Sequence, residues 1–216
     1  MPRALFLSFD GPDGTGKSTQ CDLLVKRLRA AGLPTTLAVD PGGTELGGKL
    51  RELLLFGRQH QMTTRAEALL FMASRAELVE RVIRPALERS EVVVADRYLL
   101  ANVVYQGHAG GLDVSALWSV GAFATGGVAP DLSLVFDAPP EVAAPRRKPE
   151  ADRVEARGAE YHARVRAGFL AEAARSPKPV RVIDATADID DVAAIVRCLA
   201  REQLARHGWP VDTLTD

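Results

Sequence analysis

An α/β fold, with a five-stranded parallel sheet and helices on both faces, is what this sequence predicts. Two observations point there. Short, nearly continuous apolar runs alternate with longer stretches in which apolar residues recur at helical intervals, the order expected of buried parallel strands joined by crossover helices. A glycine-rich loop ending in Gly16-Lys17-Ser18 also sits between the first apolar run and the first helical pattern, as a phosphate-cradling loop requires.

The strands are expected at Ala4–Phe9, Thr35–Val39, Val92–Ala95, Leu132–Phe136 and Val180–Ile183. Each is a short apolar run with few polar interruptions, which suits burial on both sides. Helical patterns cover Lys17–Ala31, Leu46–Leu55, Arg65–Arg89, Leu99–Gln106, Val114–Ala124, Pro140–Arg146, Ala159–Ala174 and Ile189–His207. In the third of these, Leu69, Leu70, Met72, Val79, Val82, Ile83 and Leu87 recur at helical spacing and predict one inward stripe. The run Ala144 to Arg153 is charged, holds two prolines and offers little to bury, so a mobile loop is expected, the centre of a lid spanning about 144–158. Gly208 to Asp216 reads as a loosely attached tail.

Composition sets the outer limits. At 216 residues the chain can bury one sizeable core, and it is read as one domain, 1–216, with insertions. With 27 basic and 28 acidic residues the net charge is −1, which excludes a general field toward nucleic acid or a membrane; a bound anion must be held locally. Met1-Pro2-Arg3-Ala4 runs directly into the first strand and no apolar run approaches the ~20 residues of a membrane span, so a cytoplasmic protein is expected. Cys21 and Cys198 lie far apart on predicted helices and suggest no redox role; His60, His108, His162 and His207 lack zinc-type spacing and read as surface residues.

The run Gly11-Pro12-Asp13-Gly14-Thr15-Gly16-Lys17-Ser18-Thr19 fits G-x-x-x-x-G-K-[ST]. Gly11, Gly14 and Gly16 let successive N–H groups turn inward around a polyphosphate. The helix beginning near Lys17 adds the positive end of its dipole. Lys17 would reach the β- and γ-phosphates, and the Ser18 hydroxyl would ligate magnesium. In an open parallel sheet a ligand sits beyond the carboxyl ends of the strands. Asp13, the segment Asp40-Pro41-Gly42-Gly43-Thr44 and Asp96-Arg97-Tyr98 follow the first three strands, so all three groups should converge on one rim.

In order along the chain come Phe9-Asp10-Gly11 through Thr19, Pro41-Gly42-Gly43-Thr44 with Lys49 to Leu55, Leu70-Phe71 with Arg75, Asp96-Arg97-Tyr98 with Tyr105-Gln106-Gly107, Ala124-Thr125-Gly126-Gly127 with Pro130-Asp131-Leu132, and Asp152-Arg153-Val154-Glu155. On this ordered set the chain resembles the thymidylate kinases, within the P-loop nucleoside-monophosphate kinase superfamily. The resemblance implies a P-loop NTPase-type sheet, transfer of the γ-phosphoryl group of ATP to dTMP, magnesium, and a homodimer joined through helices. It also implies site roles. Phe71 stacks on thymine and Arg75 donates to a base carbonyl, four residues away on the same helix face. Arg97 bridges the acceptor phosphate and the moving group, Asp96 holds magnesium through water, and Asp13 contacts the acceptor sugar or the metal region. Arg51 contacts the acceptor phosphate, and Tyr105 crowds a 2′-hydroxyl, with Asn102 and Gln106 beside it.

The resemblance further implies a catalytic arginine, carried either by the phosphate loop or by a mobile lid; the residue before Thr15 is Gly14, so the lid is expected to supply it. Arg146, Arg147 and Arg153 are the candidates, with Arg153 in the family's Asp-Arg pair. Val39-Asp40 stands where the family commonly has Arg-Glu, and Ala101 where it often has serine. These departures keep two alternatives in view: a kinase of another pyrimidine monophosphate such as dUMP, and a nucleotide-binding regulatory module without catalysis.

Overall fold

Burial on both faces puts β1 (Leu5–Asp10) at the centre of the sheet: all six of its residues are buried. It pairs in parallel with β3 (Val92–Asp96) on one side and β4 (Leu132–Asp137) on the other. The outer strands are β2 (Thr35–Val39) and β5 (Val180–Asp184), giving the all-parallel order β2-β3-β1-β4-β5. The structure, a computed structural model, describes residues 2–57, 61–147, 153–154 and 156–211. All five expected strands are present, displaced by a residue at most.

Alternation along each strand sorts the core into two layers. Leu5, Leu7 and Phe9 of β1 and Val92 and Val94 of β3 face α1 (Lys17–Ala30) and α9 (Ile189–Arg206), which cover them with Leu24, Leu28, Val196 and Leu204. Phe6, Val93 and Ala95 face the opposite side. There they meet α3 (Thr64–Leu78), α5 (Leu99–Asn102) and α6 (Val114–Thr125) through Met72, Leu99 and Leu117. A third cluster joins the end of α2 (Glu45–Phe56) to α8 (Ala159–Arg175) through Leu54, Tyr105, Val165 and Phe169. Each side chain of this size taken fully from water contributes ~1.5–3 kcal/mol.

Several expectations need correction. The helix expected over Arg65–Arg89 is not uniform: a π-helical turn, Val79–Ile83, separates α3 from α4 (Arg84–Glu88). Pro85 has no N–H for the i−4 carbonyl, and the wider turn just ahead of it accommodates the lost bond. Leu69, expected inside, is 53% exposed, because Ala68, Met72 and Arg75 already occupy the inward face. The stretch Leu99–Gln106 is α5 followed by a π-helical turn, Val103–His108. His162 is buried rather than superficial, on the inward side of α8 with its ring edge-on to Tyr161. The start of the tail is docked: Trp209 packs against the first core layer and its indole N–H donates to the Arg3 carbonyl at 2.8 Å. α7 (Pro140–Ala143) and a 3₁₀ turn, Ala144–Arg146, lead toward the expected lid. Its residues 148–152 and 155, like His60 and tail residues 212–216, lie outside the described residues.

Candidate active site

The loop between β1 and α1 is shaped by main-chain necessity. Gly11 has φ 135°, and a Cβ there would sit 2.3 Å from the Phe136 carbonyl oxygen; Gly14 has φ 84° with the Ala143 carbonyl oxygen 2.1 Å from any Cβ. Glycine alone fits both positions. Gly16, left-handed, opens α1 with no side-chain cap, so the first N–H groups of the helix are left for an anion. The Lys17 ammonium spans the loop, donating to the Pro12 carbonyl at 2.6 Å. Burial and the neighbouring Arg97 pull its pKa down to about 8, against the pull of Asp13 and Asp96.

Beyond β3 the chain places Arg97 in the left-handed region at φ 69°, uncommon for a residue with a Cβ. Two main-chain bonds hold it there: Arg97 N–H to the Phe9 carbonyl at 2.9 Å, and Tyr98 N–H to buried Asp10 Oδ1 at 3.2 Å. Its guanidinium pairs with Asp13 and donates to the Gly11 carbonyl, and it lies 5.2 Å from the Tyr105 ring centre. The Tyr105 hydroxyl donates to the other Asp13 oxygen at 2.6 Å. Burial pushes the Asp13 carboxyl up, but Arg97, Lys17 and Tyr105 outweigh it and hold the pKa at about 2. Asp13 is therefore an anion at neutral pH that fixes one face of Arg97. Nearby, Ser18 Oγ donates to Asp96 Oδ2 at 2.5 Å, a pair of hard oxygens at the mouth of the loop.

At the other end of the same cleft a second set of side chains is locked together. Arg75, 2% exposed, donates to Asp40 at 2.6 Å, to Asn102 Oδ1 at 3.0 Å and to the Tyr98 carbonyl at 3.3 Å. Asn102 Nδ2 donates to Gln106 Oε1 at 2.6 Å, and Gln106 Nε2 donates to Glu67 at 2.7 Å. The π-helical turn after α5 carries Tyr105 and Gln106, as such turns often do at functional sites. Burial raises the pKa of Asp40 against the pull of Arg75, and its Oδ1 is a buried oxygen without a hydrogen-bond partner.

The cleft that joins the two ends has a volume of about 410 Å³. Its walls include the phosphate loop, Asp96 and Arg97, then Arg51, Phe71, Arg75, Asn102, Tyr105 and Gln106, with Arg146 and Arg147 at the side. A glycine-rich loop at one end and a partly apolar pocket at the other suit two nucleotides placed end to end in one cleft.

Comparison with known proteins decides the lineage. The sequence model of the family described as thymidylate kinase matches residues 9–196. The thymidylate kinase of Symbiobacterium thermophilum is 44% identical over 94% of this chain and 96% of its own length. That of Deinococcus radiodurans is 40% identical over 94% and 99%. The chain belongs to the thymidylate kinase family. The crystal structure of thymidylate kinase from Ehrlichia chaffeensis superposes with a TM-score of 0.75 at 28% identity, covering 92% of this chain and 99% of that one. The five-stranded sheet is therefore that of a P-loop thymidylate kinase.

The residues expected at the site separate into two groups. Asp13, Gly14, Gly16, Lys17, Ser18, Thr19, Arg51, Phe71, Arg75, Asp96, Arg97, Asn102, Tyr105, Gln106 and Arg147 line the cleft, and Gly11 and Thr15 shape its loop. Arg153 does not line it. Its guanidinium bonds to Glu67 at 2.6 Å and to the Leu54 carbonyl at 2.9 Å, away from the phosphate loop. Arg147 instead donates to the Asp13 carbonyl at 3.4 Å, over the loop itself. Arg146 lines the cleft too but is tied to the Ala185 carbonyl at 2.7 Å. Sequence reasoning missed Glu67 and Arg157 altogether. The signal available was spacing, since Glu67, Phe71 and Arg75 stand at i, i+4 and i+8 on one helix.

Proposed function

We propose that this chain transfers the γ-phosphoryl group of ATP to the 5′-phosphate of dTMP, giving ADP and dTDP, with both nucleotides in the one cleft. The observation that supports this best is the placement of Arg97. It stands between the phosphate loop and the Phe71–Arg75 pocket, held by Asp13 on a strained backbone. An acceptor phosphate oxygen bonds to the γ-phosphorus as the β,γ-bridging bond breaks and its electron pair leaves with ADP. The work of the protein is alignment and neutralisation of charge. Lys17 and the main-chain amides of the loop hold the donor phosphates. Arg97 binds the acceptor phosphate and the moving group, with Arg51 on the acceptor side.

Phe71 stacks on the thymine, Arg75 donates to a base carbonyl, and Tyr105 crowds the position of a 2′-hydroxyl. The arginine that acts in the transition state is Arg147, since Arg153 is engaged by Glu67. The Ser18 hydroxyl and the Asp96 carboxylate, 2.5 Å apart, fit magnesium arriving with ATP, the carboxylate acting through water. Bound there, the ion would lower the charge of the β- and γ-phosphates. Phosphate oxygens and water would complete its coordination.

The enzyme works as a cytoplasmic homodimer in this proposal. Leu69 on α3 and Phe123 on α6, which is 89% exposed, are large apolar side chains on two helices that pack together, and a partner copy would cover them. Sedimentation of wild type and Phe123→Asp tests this, the variant shifting toward monomer. Among the described residues no helix is long and apolar enough to cross a membrane. The direct test of function is product identification by mass after incubation with ATP, magnesium and a mixture of nucleoside monophosphates. Phosphorylation confined to dTMP is expected, and absence of dTDP would overturn the proposal.

A further inference from the structure

We infer that Glu67 is a specificity-positioning residue: it sets the direction of a buried hydrogen-bond chain so that Asn102 and Arg75 present donors to the acceptor base. The inference rests on the reading above that Phe71, Arg75 and Asn102 face that base.

Glu67 is fully buried. One of its oxygens accepts from Arg153 at 2.6 Å and Arg157 at 2.7 Å; the other accepts from Gln106 Nε2 at 2.7 Å. From there the donors run in one direction. Asn102 Nδ2 gives to Gln106 Oε1 at 2.6 Å, and Arg75 gives to Asn102 Oδ1 at 3.0 Å. A primary amide can turn by 180° and exchange oxygen for NH₂, so its orientation is set only by its partners. Here both ends are pinned by groups that cannot reverse. A carboxylate facing two guanidiniums only accepts, and a guanidinium only donates.

The result is a polarised wall. Asn102 keeps one N–H beyond the one used in the chain, and Arg75, whose other donors go to Asp40, Met72 Sδ, Asn102 and Tyr98, keeps one on Nη2. These residues line the cleft. A pyrimidine with a carbonyl at C4 offers such donors an acceptor, whereas the C4 amine of cytosine opposes donor to donor. A site built for one partner rejects the other strongly, because buried groups are then left unpaired.

Glu67→Gln keeps the size and tests the direction. Its amide oxygen would turn to the two guanidiniums and its NH₂ to Gln106. Gln106 and then Asn102 would have to flip, placing an Asn102 NH₂ against Arg75.

The experiment measures kcat/KM for dTMP and for dCMP with ATP, on variants whose fold is checked by circular dichroism. For Glu67→Gln we expect the dTMP:dCMP ratio to fall at least about tenfold, mainly through a higher KM for dTMP, with the KM for ATP unchanged. The double variant Glu67→Gln/Gln106→Glu puts an acceptor-only group back into the chain, so the Asn102 amide again donates its N–H to residue 106 and the ratio should recover. A folded Glu67→Gln enzyme with the wild-type ratio, or a double variant as unselective as the single one, overturns the inference. If Glu67→Gln does not fold, the double variant decides: a retained ratio supports the inference and a collapsed one overturns it. Arg75→Ala separates the two layers of the argument. Should it leave the KM for dTMP unchanged, the base pocket itself is misread and the inference falls with it. Should Arg75→Ala impair dTMP binding while Glu67→Gln does nothing, only the role of Glu67 is overturned.

Discussion

At one end of the cleft, nine consecutive residues, Gly11 to Thr19, form a loop whose main-chain amides and one lysine are proposed to hold the donor nucleotide. At the other end, where the proposed function puts the acceptor base, seven side chains from four separate segments are linked together: Asp40, Glu67, Arg75, Asn102, Gln106, Arg153 and Arg157. The first region needs little besides glycines and a helix start. The second is a chain of hydrogen bonds running from Asp40 and Arg75 through Asn102 and Gln106 to Glu67, so removing one member leaves its neighbour unpaired. On the proposed reading, local chain geometry suffices to hold phosphate, while recognition of a particular base requires distant side chains to agree.

That contrast can be broken or sharpened by experiment. Lys17→Ala should have the largest effect, a loss of kcat of about 10³-fold or more, because it removes a charge from the transferring phosphates. A steady-state assay coupled to ADP release measures it, and substantial residual turnover would mean the loop amides alone carry the donor. Next comes Arg147→Ala, expected to lower kcat by ~10²–10³ with the KM for dTMP nearly constant. Arg153→Ala should cost less kcat and raise the KM for dTMP instead, since its guanidinium supports Glu67 and not the loop. The reverse ranking in the same assay would return the catalytic role to Arg153.

Arg75→Ala, at the base end, should raise the KM for dTMP by ~10–100-fold, the loss of a charge-assisted hydrogen bond in a buried site, and also strand Asp40. Isothermal titration with dTMP reads this directly. The smallest effect concerns pH. Lys17 titrates at about 8, below its ordinary 10.5, so it is charged below that pH and neutral above it. kcat/KM for ATP should then fall by about fourfold between pH 7 and 8.5, while kcat at saturating ATP, with phosphates holding the proton in place, changes less. A flat kcat/KM profile over that range would place the lysine pKa higher.

These two regions also differ in how far they could be read in advance. The loop, the five strands and the convergence of Asp13, Asp40 and Asp96-Arg97 on one rim follow from short-range pattern and strand polarity. The π-helical turns, Val79–Ile83 and Val103–His108, did not, because the apolar spacing there is compatible with an ordinary α-helix. Trp209 read as tail because nothing near it in sequence reveals the Arg3 carbonyl that receives its N–H. Glu67 carried no signal of its role, since its partners Arg153 and Arg157 lie 86 and 90 residues away.

By itself, then, the order of residues determined the kind of sheet, the phosphate loop and the family, all of which depend on neighbours along the chain. Which arginine reaches the loop, and how Glu67 orients two amides toward Arg75, was decided only when burial brought separate segments together. Inside the protein a charge or an amide must find its partners in space, and sequence distance places no limit on where they come from.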